Sequence, residues 1–365
     1  MIEGGMMILK DFYKGKRVFV TGHTGFKGSW LCAMLKELGA DVYGFSLTPN
    51  TSPALFNILE FDDKIHSTIG DVRDYVALEK AYIESKPDVV LHLAAQPIVR
   101  ESYKDPKYTY ETNVIGTVNV LECLRRHSGA ISFLNVTTDK VYENNDLEDH
   151  AFKEDEKLDG YDPYSNSKSC SELVTHSYKK SFFSEESSPA ISTARAGNVI
   201  GGGDFANDRI VPDCVRATVK GESIIVRNPF STRPYQHVLE PIAAYLMIVM
   251  KQAENKKYAG YYNIGPRDED CITTGKLADA FVEHWGESAV WENKAEANAP
   301  HEASFLKLDC SKARETFGWN PVWNVDQAIK ETVSWYKAWD SGCDMYSFTQ
   351  GQIREFLDAF GKSIT

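Results

Sequence analysis

The sequence lacks a long hydrophobic run, and its first residues lack the pattern of an export signal. No apolar stretch among its 365 residues reaches the ~18 residues that a membrane-spanning helix needs. The N-terminal segment does not show the basic and then apolar order of a signal peptide. These two absences predict a cytoplasmic protein without a membrane partner.

Paired cysteines, clustered histidines and basic tracts are also missing. The seven cysteines are scattered and form no Cys-x-x-Cys pair, which is typical of reduced thiols. The nine histidines form no His-x-x-x-His motif, so we expect no metal. The net charge of −12 disfavours a nucleic-acid surface. With 42% hydrophobic residues, the chain is long enough for one composite domain or two joined domains.

A glycine-rich segment lies between a predicted strand, which starts at Arg17, and a predicted helix, which stops at Gly39. It contains Gly22, Gly25 and Gly28 at three-residue intervals. Glycines let the backbone turn sharply and approach a pyrophosphate, and the following helix points its N-terminal amides at the phosphate charge. Because the flanking segments have the spacing of a βαβ unit, we interpret this as a dinucleotide-binding turn.

Strand and helix patterns continue to alternate through the first half of the chain. The apolar run Pro87–Leu93 is typical of a central parallel strand, and small residues follow at its carboxyl end, where such sheets bind ligands. Helical periodicity extends from Tyr108 to Arg126, and a further strand follows at 131–136. The pattern predicts an α/β fold with a Rossmann-type, doubly wound parallel sheet.

A change of composition marks a second lobe. The segment 197–208 is rich in Gly, Asn and Asp, which is typical of a loop. We predict a dinucleotide-binding domain over 1–198 with a return segment near 235–266. A smaller C-terminal substrate-binding lobe would comprise 199–234 and 267–365.

Tyr164 and Lys168 are four residues apart in a helix predicted to begin at Asp162 and Pro163. This spacing stacks a phenol beneath an ammonium group. A nearby cation favours an ionised phenol, so we expect the pKa of Tyr164 to be lowered towards neutrality. A simple surface contact is the alternative, but the glycine turn in the same chain favours a proton-transferring pair beside a hydride acceptor.

Taken together, these motifs resemble the extended short-chain dehydrogenase/reductase superfamily over nearly the whole chain. The resemblance implies a Rossmann-type domain for NAD(P), a lobe for a nucleotide sugar and a homodimer. It makes Tyr164 the acid/base at a sugar hydroxyl and places Lys168 on the nicotinamide ribose. The cofactor-binding residues are then expected to be Gly22, Thr24, Gly25, Phe26, Gly28, Ser46, Asp71, Val72, Leu93, Ala94, Ala95, Gln96, Asn113, Tyr164 and Lys168.

An acidic residue is missing at the end of the second predicted strand, which reads Gly44-Phe45-Ser46-Leu47. In dinucleotide-binding folds a carboxylate at this place binds the ribose 2′-hydroxyl. Ser46 would bind that hydroxyl more weakly, and no arginine adjoins it to select a 2′-phosphate. We therefore expect NAD rather than NADP, bound less tightly than in relatives that carry the acid.

The segment Thr138-Asp139-Lys140-Val141-Tyr142 narrows the reaction. Nucleotide-sugar 4,6-dehydratases typically have Thr-Asp-Glu here, whereas sugar epimerases have no acid-base couple after the hydroxyl residue. Together with the later segment Arg233–Pro241, the Thr-Asp-Lys run resembles the branch that dehydrates CDP-glucose. The resemblance therefore implies a 4,6-dehydratase acting on a CDP-linked hexose.

The chemistry of that reaction is consistent with these residues. Removing water across C5 and C6 needs an acid for the C6 hydroxyl and a base for the C5 proton, which a ketone at C4 makes acidic. We expect Thr138 to bind the C4 oxygen, Asp139 to be the acid and Lys140 to assist as the base. Asp139 could also perform both tasks. A 4-epimerase, a dehydratase for another nucleotide hexose and an NAD-binding sensor protein are the alternatives.

A substrate diphosphate favours an arginine, whose planar fork matches phosphate oxygens. Arg233 is the first choice for this contact. The family resemblance adds Asn198, Arg209 and His237 on the substrate side. No spacing rule identifies the nucleobase.

Overall fold

The structure is a computed structural model that describes residues 4–145, 150–286, 289–294 and 306–363. Its helices are α1 Gly4–Tyr13, α2 Phe26–Glu37, α3 Leu55–Ile58, α4 Tyr75–Ser85, α5 Val99–Lys104, α6 Pro106–Tyr110, α7 Gly116–Arg126, α8 Pro163–Phe182, α9 Ile210–Val219, α10 Leu239–Glu254, α11 Thr274–Trp285, α12 Ser311–Phe317, α13 Val325–Asp340 and α14 Met345–Ser363. Its strands are β1 Arg17–Thr21, β2 Asp41–Ser46, β3 His66–Ile69, β4 Val89–His92, β5 Ser132–Thr138, β6 Ala151–Phe152, β7 Ala190–Ala196, β8 Val199–Ile200, β9 Ile224–Val226, β10 Thr232–Pro234, β11 Gln236–His237, β12 Tyr261–Ile264, β13 Cys271–Thr273, β14 Trp291–Asn293 and β15 Lys307–Leu308.

A seven-stranded sheet in the order β12-β7-β5-β4-β1-β2-β3 forms the centre of the molecule, and all of its pairings are parallel. From β1 the chain builds outwards to β3, then crosses to β4 and builds in the other direction. The order therefore reverses between β1 and β4, and ligands bind at such a switch point. The predicted α/β fold with a doubly wound parallel sheet is confirmed.

The core lies on both faces of this sheet. Strands β4, β5 and β7 are buried along their whole length, as expected where helices cover both faces. In β1, Val20 belongs to one core cluster with Trp30, while the preceding Phe19 faces the opposite cluster and Tyr82. This alternation along one strand places apolar side chains on both faces of the sheet.

Helices α4 and α8 begin with aspartate caps. Asp74 accepts the backbone N–H groups of Val76 and Ala77 at the start of α4. Asp162 accepts the N–H of Ser165 at 3.0 Å, and Pro163 occupies the first turn of α8. The predicted start of α8 is confirmed. Each cap stabilises the fold by about 1 kcal/mol, and it favours a helix that begins directly after the aspartate.

The predicted helix between residues 108 and 126 is confirmed, with one irregularity. Between α6 and α7, residues Glu111–Ile115 form a π-helical turn instead of continuing the α-helix. Such a turn inserts an extra residue and rotates the side chains that follow it. Asn113 lies in this turn.

The C-terminal half returns to the first half at two places. Strand β12 pairs with β7, and α14 lies against α2, where Gln350 Nε2 donates to the carbonyl of Ala33 at 3.1 Å. Arg354 Nε lies 3.0 Å from Glu37 Oε1 in the same contact. The division into two domains at the stated boundaries stays a prediction. In the parts of the chain that the structure describes, no helix has the length and apolar character needed to cross a membrane.

Glu240, at the start of α10, makes the stability of the fold sensitive to pH. Its carboxyl group is buried and accepts the N–H groups of Val322 at 2.9 Å and Trp323 at 2.7 Å. Burial raises the pKa of Glu240 to about 8, although the two hydrogen bonds oppose the rise. Between the unfolded value of ~4.3 and this value, the unfolded chain loses a proton that the folded protein keeps.

The free energy of unfolding should therefore fall as pH rises through this interval. The contribution of Glu240 is fully present below its unfolded pKa and is lost as pH passes its folded pKa. We expect Glu240→Gln to reduce the drop in melting temperature between about pH 5 and about pH 8. Glu254→Gln, at the exposed end of the same helix, is the control. An unchanged drop in the Glu240 variant would contradict the assignment.

Candidate active site

A cleft of about 1100 Å³ opens at the carboxyl ends of the parallel strands. Its walls come from the turns after β1, β2, β4 and β5, from α8, and from the segment between residues 196 and 235. The sequence-predicted site residues line this cleft, with the exceptions of Asn113 and His237. The parallel topology explains this convergence, because every strand end meets at the same edge.

The three glycines of the first turn have different steric roles. Gly22 has φ +80°, and a Cβ there would lie 2.7 Å from the backbone nitrogen of Ala94. A Cβ on Gly28 would lie 2.1 Å from the carbonyl oxygen of Gly22. At Gly25 the nearest contact is that same oxygen at 3.4 Å, so this position is open. Gly22 and Gly28 fix the turn, and Gly25 leaves space in the cleft.

The N-terminus of α2 faces the cleft without a local partner for its amides. Gly25 occupies the capping position, provides no side-chain cap, and no acidic residue lies in the first helical turn. The first N–H groups of a helix lack intrahelical acceptors and carry partial positive charge. This end of α2, together with Thr24 and Phe26 in the cleft wall, is suited to a phosphate group.

Polar groups beside the ends of β2 and β3 are held by near neighbours. The hydroxyls of Ser46 and Thr24 lie 2.9 Å apart, and Thr24 also donates to the carbonyl of Leu47 at 2.8 Å. Asp71 Oδ2 accepts hydrogen bonds from Arg73 Nε at 2.9 Å and from Arg73 Nη2 at 2.6 Å. The Arg73 hydrogen bonds lower the pKa of Asp71, against the effect of its burial. This wall of the cleft is therefore ordered before any ligand binds.

Tyr164 and Lys168 are buried on the face of α8 that borders the cleft. The Lys168 ammonium donates to the carbonyl of Val136 on β5 at 3.1 Å. Burial lowers the pKa of Lys168 to about 8, and the charge of Glu172 opposes this shift.

The expected lowering of the pKa of Tyr164 is wrong for the protein alone. Burial raises the pKa of Tyr164 to about 12, and the charge of Asp139 raises it further, while a hydrogen bond with Thr138 and the charge of Arg209 lower it. The reason is physical: withdrawing the phenol from water disfavours its charged form more than the nearby cations favour it. Additional positive charge is needed before Tyr164 can serve as a base.

Thr138 ends β5, and Asp139 and Lys140 follow in a short 3-10 turn. Asp139 is buried, with Oδ1 accepting the Thr138 hydroxyl at 2.9 Å. Lys140 Nζ lies 3.9 Å from the same oxygen, and its side chain is 24% exposed. The three residues therefore form one connected group at the carboxyl edge of the sheet.

The second oxygen of Asp139 is available for a ligand. Asp139 Oδ2 is buried and has no hydrogen-bond partner among the residues that the structure describes. A Cβ on Gly197 would lie 2.8 Å from this oxygen, so glycine is needed there to accommodate the carboxylate. A buried carboxylate oxygen without a partner is costly, and a substrate hydroxyl would satisfy it.

Cationic and amide side chains line the opposite wall. Arg209 Nη1 donates to Asp204 Oδ2 at 2.8 Å, and its charge acts on Tyr164. Arg233 is buried on β10, and one of its nitrogens donates to the carbonyl of Thr232 at 3.0 Å. Asn198 also lines the cleft. This wall can bind an anionic group, as predicted for a diphosphate.

Asn113 and His237 do not line the cleft, in contrast to their predicted ligand-binding roles. Asn113 is buried behind it, where its amide accepts the N–H of Gln96 at 2.8 Å and donates to Ser167 at 2.9 Å. His237 is buried between the rings of Trp30 and Trp323, with centroid distances of 5.7 and 4.9 Å. Burial lowers the pKa of His237 to about 3, so it is a neutral packing residue.

Sequence reasoning missed Lys27 in the glycine turn. Lys27 is in the first turn of α2 and lines the cleft. Burial lowers its pKa to about 8, and the charges of Arg209 and Lys168 lower it too. The position of Lys27 two residues after Gly25 could have indicated that it lines the cleft, because the first turn of a phosphate-binding helix points at the ligand.

Arg100, on α5, was also missed. It lies 3.7 Å from Asp208, which also accepts Arg227 at 3.1 Å. These ion pairs connect α5 with the segment between residues 196 and 235, and all three residues line the cleft. No group of three or more His, Cys, Asp or Glu side chains in the described parts of the chain is arranged to hold a metal ion.

Comparison with known proteins identifies the family. Residues 19–332 match the family model described as GDP-mannose 4,6 dehydratase. The chain belongs to this family. It is 46% identical over 358 residues to a CDP-glucose 4,6-dehydratase of Salmonella typhimurium, covering 97% of this chain and 99% of that protein. It is 25% identical over 291 residues to dTDP-glucose 4,6-dehydratase 1 of Escherichia coli, covering 73% of this chain and 77% of that protein. The expected membership of the extended short-chain dehydrogenase/reductase superfamily is confirmed.

Solved structures of lower identity share the fold. A dTDP-glucose 4,6-dehydratase from Bacillus anthracis in complex with NAD has a TM-score of 0.73 at 23% identity, covering 88% of this chain and 96% of that chain. The epimerase Mth375 from Methanothermobacter thermautotrophicus has a TM-score of 0.77 at 21% identity, covering 92% of this chain and 97% of that chain. Since both dehydratases and epimerases have this fold, the reaction must be argued from the site.

Proposed function

We propose that the protein is an NAD-dependent CDP-glucose 4,6-dehydratase. It would convert CDP-D-glucose to CDP-4-keto-6-deoxy-D-glucose and water. The observation that carries the proposal is the buried oxygen of Asp139, which has no hydrogen-bond partner within the described part of the chain and lies in the same cleft as Tyr164 and Lys168. An elimination needs an acid beside the oxidising pair. The 46% identity to a CDP-glucose 4,6-dehydratase supports the same substrate.

The residues of the glycine turn fit NAD. Gly25 leaves open space before the N-terminus of α2, where a pyrophosphate can approach the backbone. We propose that Ser46, Asp71 and Val72 bind the adenosine half, and that the turn Leu93, Ala94, Ala95 and Gln96 faces the nicotinamide half. When bound, NAD supplies the hydride acceptor for C4 and returns the hydride to C6.

Tyr164 takes the proton of the C4 hydroxyl in the proposed first step. With a pKa of about 12 in the protein alone, Tyr164 must be helped by positive charge beside it. Arg209 provides part of that charge. The Lys168 ammonium lies on the same face of α8, and a bound oxidised nicotinamide would supply further positive charge. Thr138 binds the C4 oxygen as the ketone forms.

Asp139 and Lys140 carry out the elimination in the proposed second step. The elimination uses Lys140 as the neutral base and Asp139 as the protonated acid, and Lys140 Nζ lies 3.9 Å from Asp139 Oδ1. Lys140 then removes the C5 proton, and Asp139 gives a proton to the departing C6 oxygen. The elimination balances because the C6 hydroxyl leaves as water with the proton of Asp139. Lys140 holds the C5 proton until C5 takes a proton back as the hydride reaches C6.

Arg233, Arg209 and Asn198 are proposed to bind the substrate diphosphate from the opposite wall. His237 is left out of this group because it packs between two tryptophans. We also propose a cytoplasmic homodimer. The exposed apolar side chains Ile115, Leu173 and Phe182, on α8 and on the π-helical turn before α7, support the dimer. The seven free cysteines support a reducing compartment.

The proposed substrate is tested by incubating the protein with NAD and with CDP-, dTDP- and GDP-linked glucose or mannose in separate reactions. Mass spectrometry should show a product that has lost one water. We expect this product either with CDP-glucose alone or at least about tenfold faster with CDP-glucose than with the other sugars, a preference that corresponds to ~1.4 kcal/mol. A product of unchanged mass would indicate an epimerase. No product from any sugar, despite NAD binding, would indicate the sensor protein.

The glycine turn gives a further prediction. We expect Gly25→Ala to keep the wild-type melting temperature, because its φ of −75° suits alanine and the nearest contact is at 3.4 Å. Its Cβ would occupy the proposed pyrophosphate space and weaken NAD binding at least tenfold, or ~1.4 kcal/mol, by calorimetry. Gly28→Ala is the matched comparison, and it should destabilise the fold by about 3 kcal/mol through overpacking. Wild-type NAD affinity in Gly25→Ala would contradict the proposed placement.

A further inference from the structure

Helix α8 carries a second buried charge behind its catalytic pair. Tyr164, Lys168, Glu172 and His176 recur at four-residue intervals and therefore lie on one face of the helix. The first two residues line the cleft, but Glu172 is fully buried beneath them. The reaction as described above does not use Glu172.

The carboxylate of Glu172 joins α8 to the ends of two strands. Its Oε1 accepts the hydroxyl of Thr137 at 2.5 Å on β5, and its Oε2 accepts the hydroxyl of Thr193 at 2.6 Å on β7. Thr137 directly precedes Thr138 and Asp139. One carboxylate therefore fixes the helix that carries Tyr164 and Lys168 against the strand that carries the elimination residues.

Arg195 on β7 completes this arrangement. Its Nε and Nη2 atoms each donate to a different Glu172 oxygen at 3.1 Å, in a bidentate pair. Its remaining nitrogen donates to the hydroxyl of Tyr142 at 2.7 Å and to the carbonyl of Glu154 at 3.0 Å. Tyr142 directly follows the turn of Asp139 and Lys140, so the network also holds the far end of that turn.

The charge of Glu172 acts on Lys168. Burial alone would raise the pKa of Glu172, but the charge of Arg195 and its hydrogen bonds lower it to about 2. Glu172 is therefore a carboxylate at neutral pH. It opposes the effect of burial on the pKa of Lys168, which lies at about 8.

Other ionisable groups face this pair from the surrounding elements. His176 Nε2 lies 3.2 Å from Glu172 Oε2 on the same helix. The charge of Lys168 lowers the pKa of His92 on β4 and of Lys27 on α2. On the other side of the pair, the charge of Arg195 lowers the pKa of Lys312 on α12, and Glu154 accepts a hydrogen bond from Arg195 through its backbone carbonyl. The rings of Tyr142 and Tyr261 lie 5.0 and 5.8 Å from the Arg195 guanidinium. Of the groups around Lys168, Glu172 provides the charge that favours its ammonium form.

We propose that Glu172 and Arg195 are positioning residues for the reaction proposed above: they lock α8 onto the ends of β5 and β7, and Glu172 keeps the Lys168 ammonium charged beside Tyr164. A role in stability alone does not require this pair, because a buried ion pair replaced as a whole by neutral side chains often leaves stability unchanged. A role in positioning requires the negative charge at this place.

The test uses the double variant Glu172→Gln/Arg195→Met, which leaves no unpaired buried charge, beside Glu172→Gln alone. NMR titration of lysine side chains in the protein without NAD follows Lys168, whose signal is assigned with Lys168→Met. We expect the pKa of Lys168 to fall by about one unit in both variants, which is the size of shift produced by losing one nearby opposite charge. Glu331→Gln, a buried glutamate between α13 and α14, should leave Lys168 unchanged.

The pH profile of product formation is the second readout. At pH near 8 the double variant should lose about fivefold in kcat with little change in KM, and its alkaline limb should move down by about one pH unit. The proposal would be overturned if the variants only had a lower melting temperature, while the pKa of Lys168 and the alkaline limb of the pH profile stayed unchanged. If the wild-type protein forms no 4-keto product from any nucleotide hexose, the proposed function is wrong. If the wild-type protein is active and the variants show no shift, only the role of Glu172 and Arg195 is wrong.

Discussion

Replacing Tyr164 with phenylalanine is expected to reduce formation of the 4-keto product by about 10³-fold, because the variant cannot accept the proton of the C4 hydroxyl. The phenol is buried in the cleft beside Lys168, so its removal leaves the cofactor turn and the arginine wall in place. The loss should therefore appear in kcat, with the KM for CDP-glucose changed only slightly. Initial rates of ketosugar formation, measured by mass spectrometry, provide the test.

Tyr103→Phe is the matched control for this variant. Tyr103 also lines the cleft, but it lies on α5 and is half exposed. We expect its removal to leave the rate unchanged. If Tyr164→Phe retained a rate within about tenfold of the wild type, the proton would have to go elsewhere, and the proposed role of Tyr164 would be wrong.

Asp139→Asn is expected to separate the two halves of the reaction. The amide keeps the shape of the carboxylate and can still accept from Thr138, but it cannot protonate the C6 oxygen. Elimination should slow by about 10²-fold, whereas oxidation at C4 should slow less than about threefold. Quenching the reaction with borodeuteride at early times traps the ketone, and mass spectrometry then distinguishes sugars that keep the C6 hydroxyl from those that have lost it.

Lys140→Met tests the other member of this couple. If Lys140 is the base, its removal should also accumulate the ketone that keeps the C6 hydroxyl, and exchange of the C5 hydrogen with solvent should cease. If C5 exchange continues, Asp139 is the base as well as the acid. Equal loss of C4 oxidation in Asp139→Asn and Tyr164→Phe would contradict the division of tasks between these residues.

Most of the cleft could be predicted because its residues follow strands. Gly22 follows β1, Ser46 ends β2, and Thr138 ends β5, so the parallel order of the strands brings all three to one edge of the sheet. Tyr164 and Lys168 follow from helical spacing and an aspartate cap. In each case a local pattern specified both the element and the side of the element that carries the residue.

The misplaced residues depend on features that local patterns do not contain. Asn113 lies in a π-helical turn, and its side chain is bound to Gln96 and Ser167. His237 is held between Trp30 and Trp323, which are distant in the sequence. Neither contact follows from a spacing rule, because each arises only when separate elements pack together.

Charge was also harder to predict than position. The spacing of Tyr164 and Lys168 indicated a lowered pKa for the phenol, but burial raises it to about 12. The cost of desolvation depends on every element that covers a side chain, and a sequence motif does not record that cover. The pairing of Glu172 with Arg195 was missed for the same reason, since these residues meet only through the packing of α8 on β7.

In the proposed reaction C4 is oxidised first, and the same hydrogen is later delivered to C6. This hydrogen transfer is tested with CDP-glucose that carries deuterium at C4, incubated with the protein and NAD in ordinary water. We predict that the deuterium appears in the C6 methyl group of the 4-keto-6-deoxy product and that C5 carries hydrogen from solvent. Deuterium retained at C4 of a sugar that keeps its C6 hydroxyl, or lost to solvent altogether, would contradict the account.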